Sequence, residues 1–208
     1  DIGGMLFILV LLFIGVNFKV LTNYELLMWL SLASLFLHQL EEYRIAGTFP
    51  GMINKVMFSS EMPDRYPLNT NTSLVINVIV GWLFYFLAAV YGEKVIWLGM
   101  ATILISLGNF IAHTFLFNIR GKMYYNAGMI TSWLFFAPCI YFFFHIIYSN
   151  HLATPVDYYV GVSLGIALNI VGVFKLIDWL KDKSTPYIFE QRNLLPQDRR
   201  VEQQSIEV

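Results

Sequence analysis

Apolar residues run through this chain in long blocks, separated by short polar clusters. A helix needs roughly 20 apolar residues to cross the hydrocarbon of a bilayer. Six blocks approach that length: Met5–Leu21, Glu25–Ile45, Leu74–Val90, Val95–Phe117, Met123–Tyr148 and Tyr158–Leu180. No period-two alternation accompanies them, which argues against a β-barrel. The pattern predicts an all-α polytopic membrane protein, a bundle of about six transmembrane helices. The sizeable internal loop is Ala46–Ser73, with Pro50, Pro63 and Pro67. From Asp182 the composition turns polar. The expected division is a six-helix transmembrane domain over 1–183 and a polar C-terminal tail over 184–208.

Composition strengthens this reading. Charged residues make up 13% of the 208 and hydrophobic residues 57%, whereas a soluble domain carries about 25% charged residues. A soluble globule and a disordered chain are both excluded on that ground. The net charge of −1 and the scattered basic residues argue against a nucleic-acid partner. Threading six spans with the N-terminus inside puts Arg44, Lys55, Arg65, Arg120, Lys122, Lys175, Lys181, Lys183, Arg192, Arg199 and Arg200 on the inner side. Only Lys19 and Lys94 fall outside. The positive-inside rule then places both termini in the cytoplasm. The first block has no basic residue before it and no small-residue cleavage pattern, so a signal peptide is the weaker reading. The single cysteine, Cys139, permits no internal disulfide.

Ionisable groups inside spans are costly, and each is a functional-site hypothesis. His38, Glu41 and Glu42 are three and four residues apart and share one helical face. Asn109 and His113 share a face of the fourth block. With the predicted orientation, these five residues, Asn77, Asn126–Thr131, Lys175 and Asp178 all fall near the inner ends of their spans. That common depth suggests one polar pocket opening toward the cytoplasm. Blander readings compete with it. Glu41, Glu42 and Arg44 also read, with less weight, as a solvated helix end, and His38–Glu42 as a structural bridge. Asn109 and His113 read as an interhelical hydrogen bond. Gly128 and Thr131 read as close helix packing, and Lys175–Asp178 as a surface ion pair.

The chemistry of the set has two forms. His38, Glu42 and His113 match the His₂Glu donor set of a catalytic zinc site, which activates water. Glu41 then serves as base and Asn109 orients His113 or the water. Without metal, adjacent Glu41 and Glu42 share a proton and divide the acid and base roles. The expected function is a membrane-embedded enzyme, a metal-dependent hydrolase or acid–base catalyst. Its partners are membrane lipid and a lipid-like or apolar small substrate. Its cofactor is a divalent metal, zinc by donor type. The alternative is an ion- or proton-coupled transporter using the same carboxylates as a relay. The lack of an inverted repeat and of paired broken helices weighs mildly against it. A purely structural membrane protein is the third reading.

The chain also resembles the HXXEE family of small integral membrane proteins. His38, Glu41 and Glu42 match the name-giving motif. Asn109-Phe110-Ile111-Ala112-His113 is similar to the family's N-A-x-x-H motif, with Phe in place of the usual Ala. Gly128-Met129-Ile130-Thr131 is similar to a third, glycine-centred motif, and the tail run Asn193–Arg199 follows the family as well. The resemblance covers about Leu32–Thr131 and implies a membrane protein with an enzymatic site. The Glu-Glu pair is also similar to that of CAAX-protease-like membrane hydrolases, although the order of the histidines differs.

Overall fold

The computed structural model describes residues 2–199, and every regular element among them is helical. Helix α1 (Ile2–Asn17) turns back into α2 (Asn23–Leu40). A capping box starts α2: Glu25 N donates to Thr22 Oγ1 at 3.2 Å and Thr22 N donates to Glu25 Oε2 at 3.0 Å. The short α3 (Phe49–Met52) lies in the connection that follows. A 52-residue helical run, α4 (Thr70–Gly121), comes next, then α5 (Met129–Ser149) and α6 (Pro155–Trp179).

The long run of α4 is not straight. Tyr85 Oη donates to Thr102 O at 2.8 Å and meets Ser106 Oγ at 2.7 Å. On a straight helix, residues 85 and 102 would stand roughly 25 Å apart. The chain doubles back through a 3₁₀ turn at Gly92–Val95, where Gly92 has φ +53°. This left-handed conformation suits a residue without Cβ. The two legs, 70–91 and 96–121, therefore lie side by side.

The six expected spans are corrected by this architecture. Three helices among the described residues, α4, α5 and α6, are long and apolar enough to cross a membrane. Helix α1 is apolar but only 16 residues long. Helix α2 is the central helix of the bundle, with 11 of its 18 residues buried, including Ser31, Ser34 and His38. It runs on into buried Glu41 and Glu42. Its polar groups face protein, which lowers its hydropathy below that of a lipid-facing helix. Large apolar side chains such as Leu74, Ile79, Leu134, Val156 and Ile166 are exposed on α4, α5 and α6. Soluble monomers expose little contiguous apolar surface, so this exterior is compatible with membrane insertion.

Two apolar clusters hold the bundle. The larger joins Met28, Leu32, Tyr85, Met100, Ile103 and Phe143. The second leg of α4 packs closely on α6, with Gly161 against Trp97 O and Gly165 against Leu104, the close approach that small residues permit. A smaller cluster at the other end joins Met52, Ile53, Leu68, Phe117, Ile177 and Phe189. Phe189 belongs to the segment beyond α6. That segment runs back across the 46–69 connection: Phe189 N donates to Asp64 O at 2.8 Å and Thr70 N to Tyr187 O at 3.2 Å. Asn193 Nδ2 donates to Tyr43 O at 3.0 Å and Gly47 O at 2.8 Å. The part of the expected tail within 184–199 thus lies along the bundle; 200–208, including Arg200, falls outside the described residues. Asn193→Ala removes both bonds, at roughly 1–3 kcal/mol. Limited proteolysis should then cut at Arg192 and Arg199 several-fold faster than in the parent protein. Equal rates would show that these bonds do not hold the segment down.

Candidate metal centre

Three elements bring the centre together. His38 lies in the last turn of α2, and Glu41 and Glu42 open the π-helical turn Glu41–Ile45. His113 lies in a second π-helical turn, Ala112–Leu116 of α4. Each is closed by an i+5 bond, Ala46 N to Glu41 O and Phe117 N to Ala112 O. Four further π-helical stretches occur among the described residues, so these turns do not by themselves mark the site. The 122–128 connection supplies Asn126 and Gly128, and the start of α5 supplies Thr131.

Glu42 Oε1 stands 3.4 Å from His38 Nε2 and 3.3 Å from His113 Nε2. All three side chains are buried: His38 is 2% exposed, Glu42 4% and His113 0%. The three ligand atoms lie within 4.8 Å of one another. Aromatic rings dry the surroundings. Phe136 lies 4.6 Å from the His38 ring, Phe117 stands edge-on to His113 at 4.9 Å, and Phe49 of α3 stacks on His113 at 5.7 Å.

The hydrogen-bond network fixes which nitrogen of each ring carries hydrogen. Thr131 Oγ1 has one hydrogen, and its 2.6 Å bond to Glu41 Oε2 takes it. The 2.9 Å contact between His38 Nδ1 and Thr131 Oγ1 is then a bond donated by the ring. Asn126 is fixed by its own donors: Nδ2 donates to His113 O and to Asn118 Oδ1, both at 2.8 Å. Its Oδ1 therefore accepts from His113 Nδ1 at 2.6 Å. Both rings are protonated at Nδ1. Both Nε2 atoms are buried, meet no hydrogen-bond partner and face Glu42 Oε1; in the neutral rings they are lone pairs. With neutral rings the three inward-facing atoms are all acceptors, a group that could hold a metal ion. Bonds of ~2.0–2.1 Å in a tetrahedral zinc site put ligand atoms roughly 3.3–3.4 Å apart, as found on both sides of Glu42 Oε1.

The remaining residues singled out from the sequence are placed differently. Glu41, expected as base, is turned to the start of α5. It accepts from Tyr125 Oη at 2.9 Å, Ile130 N at 3.2 Å, Thr131 N at 2.8 Å and Thr131 Oγ1 at 2.6 Å. Four donors satisfy its oxygens and favour a carboxylate at a helix N-terminus. Asn109 does not reach His113. Its Nδ2 donates to Ile105 O at 3.0 Å, one turn back on its own helix, and it lines a neighbouring cavity. The residue holding His113 is Asn126, which the sequence marks only as polar and at the right depth. The ion pair of Asp178 is with Lys181 at 2.6 Å, not Lys175, and both partners are about half exposed. Glu41→Gln exchanges charge-assisted bonds for weaker ones and turns an amide N–H toward donors. It should destabilise the protein by roughly 2–3 kcal/mol in a denaturant titration in mixed micelles. A loss under about 0.5 kcal/mol would mean that Glu41 does not anchor α5.

Comparison with known proteins supplies one match. The model of the HXXEE family, described as "Protein of unknown function with HXXEE motif", matches residues 29–143. No curated protein and no solved structure matches the chain. The matched range holds His38, Glu41, Glu42, Asn109, His113, Asn126, Gly128 and Thr131.

Proposed function

This chain belongs to the HXXEE family, and from that premise we propose that it is a membrane-embedded, metal-dependent enzyme acting on a lipid-like substrate by hydrolytic or acid–base chemistry. The observation that carries the reading is the pair of buried Nε2 atoms, without hydrogen-bond partners, facing one carboxylate oxygen. His38, His113 and Glu42 hold a divalent metal, and two imidazoles with one carboxylate suit zinc. Such a metal, with a coordination position open to water, makes a nucleophile available near neutral pH and polarises a carbonyl. Thr131 and Asn126 orient the two rings, and Glu41 holds Thr131 in turn. His38 and Glu42 also line a cavity with largely apolar walls, which receives the substrate. With Glu41 saturated by donors, Glu42 is the carboxylate placed to take a proton beside the substrate.

The same binding of Glu41 removes one of the two carboxylates from the relay of the transporter reading. Basic residues in and beside the 185–199 segment, with Lys19 and Lys94 in the opposite turns, support an inward-facing site and cytoplasmic termini. The test is hydrolysis of uncharged long-chain esters and amides by the purified protein. Activity should vanish with a chelator, return with zinc and be absent in Glu42→Gln. Activity that persists after verified metal removal would overturn metal dependence. A metal-loaded protein inert on the whole panel would overturn the hydrolytic assignment.

A further inference from the structure

We propose that the centre takes a single aliphatic chain with an uncharged, hydrogen-bonding head, and that the chain enters sideways from the bilayer past Gln39 and Trp82. This rests on the reading of the His/Glu/His cluster as a lipid-handling centre, and it adds the substrate's charge, its number of chains and its route.

The head group follows from the cavity beside the centre. It measures about 130 Å³, with His38 and Glu42 in its wall. Among the described residues, no lysine, arginine or aspartate lines it. Its other polar groups are neutral: the amides of Gln39, Asn77, Asn109 and Asn169 and the hydroxyls of Tyr43 and Ser73. Apart from a metal at the centre, whose charge Glu42 already partly offsets, a phosphate or sulfate here would be desolvated without a cation beside it, which costs several kcal/mol. An alcohol, ester or amide finds donors and acceptors instead.

The single chain follows from size. An apolar cavity of ~150 Å³ holds one benzene-sized molecule. This one therefore holds a head group and a few carbons, and two acyl chains do not fit. The remaining carbons must leave, and the structure shows where. A second cavity shares Gln39, Tyr43 and Asn77 with the first. That cavity shares Phe36 and Trp82 with a third, an apolar groove of about 450 Å³ between α1, α2 and the first leg of α4. Leu6, Val10, Phe13 and Trp29 line the groove, and Leu9 and Phe86 on its rim are about half exposed. The hydrogen bond from Trp82 Nε1 to Gln39 Oε1, 2.5 Å long, stands at the junction. Arg44 borders the middle cavity, not the one at the centre.

The test uses long-chain alcohols carrying a photoreactive diazirine either beside the hydroxyl or at the methyl end, with the full-length protein in nanodiscs. The head-end probe should label peptides holding 35–49 or 105–117, and the tail-end probe peptides holding 6–13 or 82–86. An excess of plain long-chain alcohol should suppress both by at least tenfold; the matching phosphate monoester and a diacylglycerol should not. Gly81→Leu fills the junction, since a Cβ at Gly81 already lies 3.4 Å from Gln39 Nε2 and Leu35 Cδ2. It should abolish head-end labelling while tail-end labelling persists. If that variant fails to fold, the head-and-tail pattern of the parent protein decides alone. Both probes labelling the same peptides, or equal competition by the phosphate monoester or the diacylglycerol, would overturn the proposal. The labelling pattern reads the cavity and not the ion, so it does not depend on metal content. Metal-free protein that still labels as described would therefore defeat the metal reading and leave this one standing. Metal-loaded protein without the pattern would do the reverse.

Discussion

His113→Ala should empty the centre: bound metal should fall from about one ion per chain to a trace. The variant removes one of the three ligand atoms and leaves His38 and Glu42, a pair too small to retain a metal through purification. It also opens a cavity among His38, Phe49 and Phe117 and should cost roughly 2–4 kcal/mol of stability. Metal loss alone could therefore reflect misfolding. Thr131→Val separates the two effects, because it keeps the shape of the side chain and removes only the hydroxyl between Glu41 and His38. Without that acceptor, His38 is no longer held with Nδ1 protonated and Nε2 bare. Metal affinity should fall 10–100-fold, the usual penalty for losing a partner that orients a ligand. Elemental analysis of the first variant and competitive chelator titration of the second check these values. Unchanged metal content in His113→Ala would remove His113 from the centre.

Gly128→Ala should do as much damage by a different route. Gly128 has φ +103°, a conformation that an L side chain rarely adopts. A Cβ there would lie 2.4 Å from His113 Cε1, 2.8 Å from His38 Cε1 and 2.9 Å from His113 Nδ1. The glycine thus lies between the two rings, and a methyl group would push both away from Glu42. Backbone strain and overpacking together should cost roughly 3–5 kcal/mol. Denaturant titration should register that cost, and metal binding should be lost even where the variant still folds. Retention of both would mean that the 122–128 connection is free to move away from the rings.

The long helices were legible because apolar blocks of that length admit few alternatives. The number that cross was not. Met5–Leu21 and Glu25–Ile45 read as spans by apolar content, but the helix at the first, Ile2–Asn17, is short and the second faces protein on most sides. Window hydropathy does not distinguish a polar residue facing lipid from one answered inside the bundle. For the centre, the i, i+4 spacing correctly paired His38 with Glu42, and common depth brought in His113. Spacing could not divide the work between Glu41 and Glu42. Neighbours on a helix differ by about 100° in direction, and here that angle sends one carboxylate to the imidazoles and the other to the start of α5. Nor could spacing exchange Asn109 for Asn126. The bond from Asn126 to His113 closes across a connection with positive φ at Lys122 and Gly128, where helical periodicity carries no information.

The central claim is that His38, Glu42 and His113 together bind one metal ion. Anomalous diffraction from crystals of protein purified with zinc, collected on both sides of the zinc absorption edge, tests it most directly. The account predicts one peak per chain, about 2.0–2.2 Å from both Nε2 atoms and from Glu42 Oε1. A peak elsewhere, or no peak with Glu42 bonded directly to a hydrogen-bearing Nε2, would contradict it.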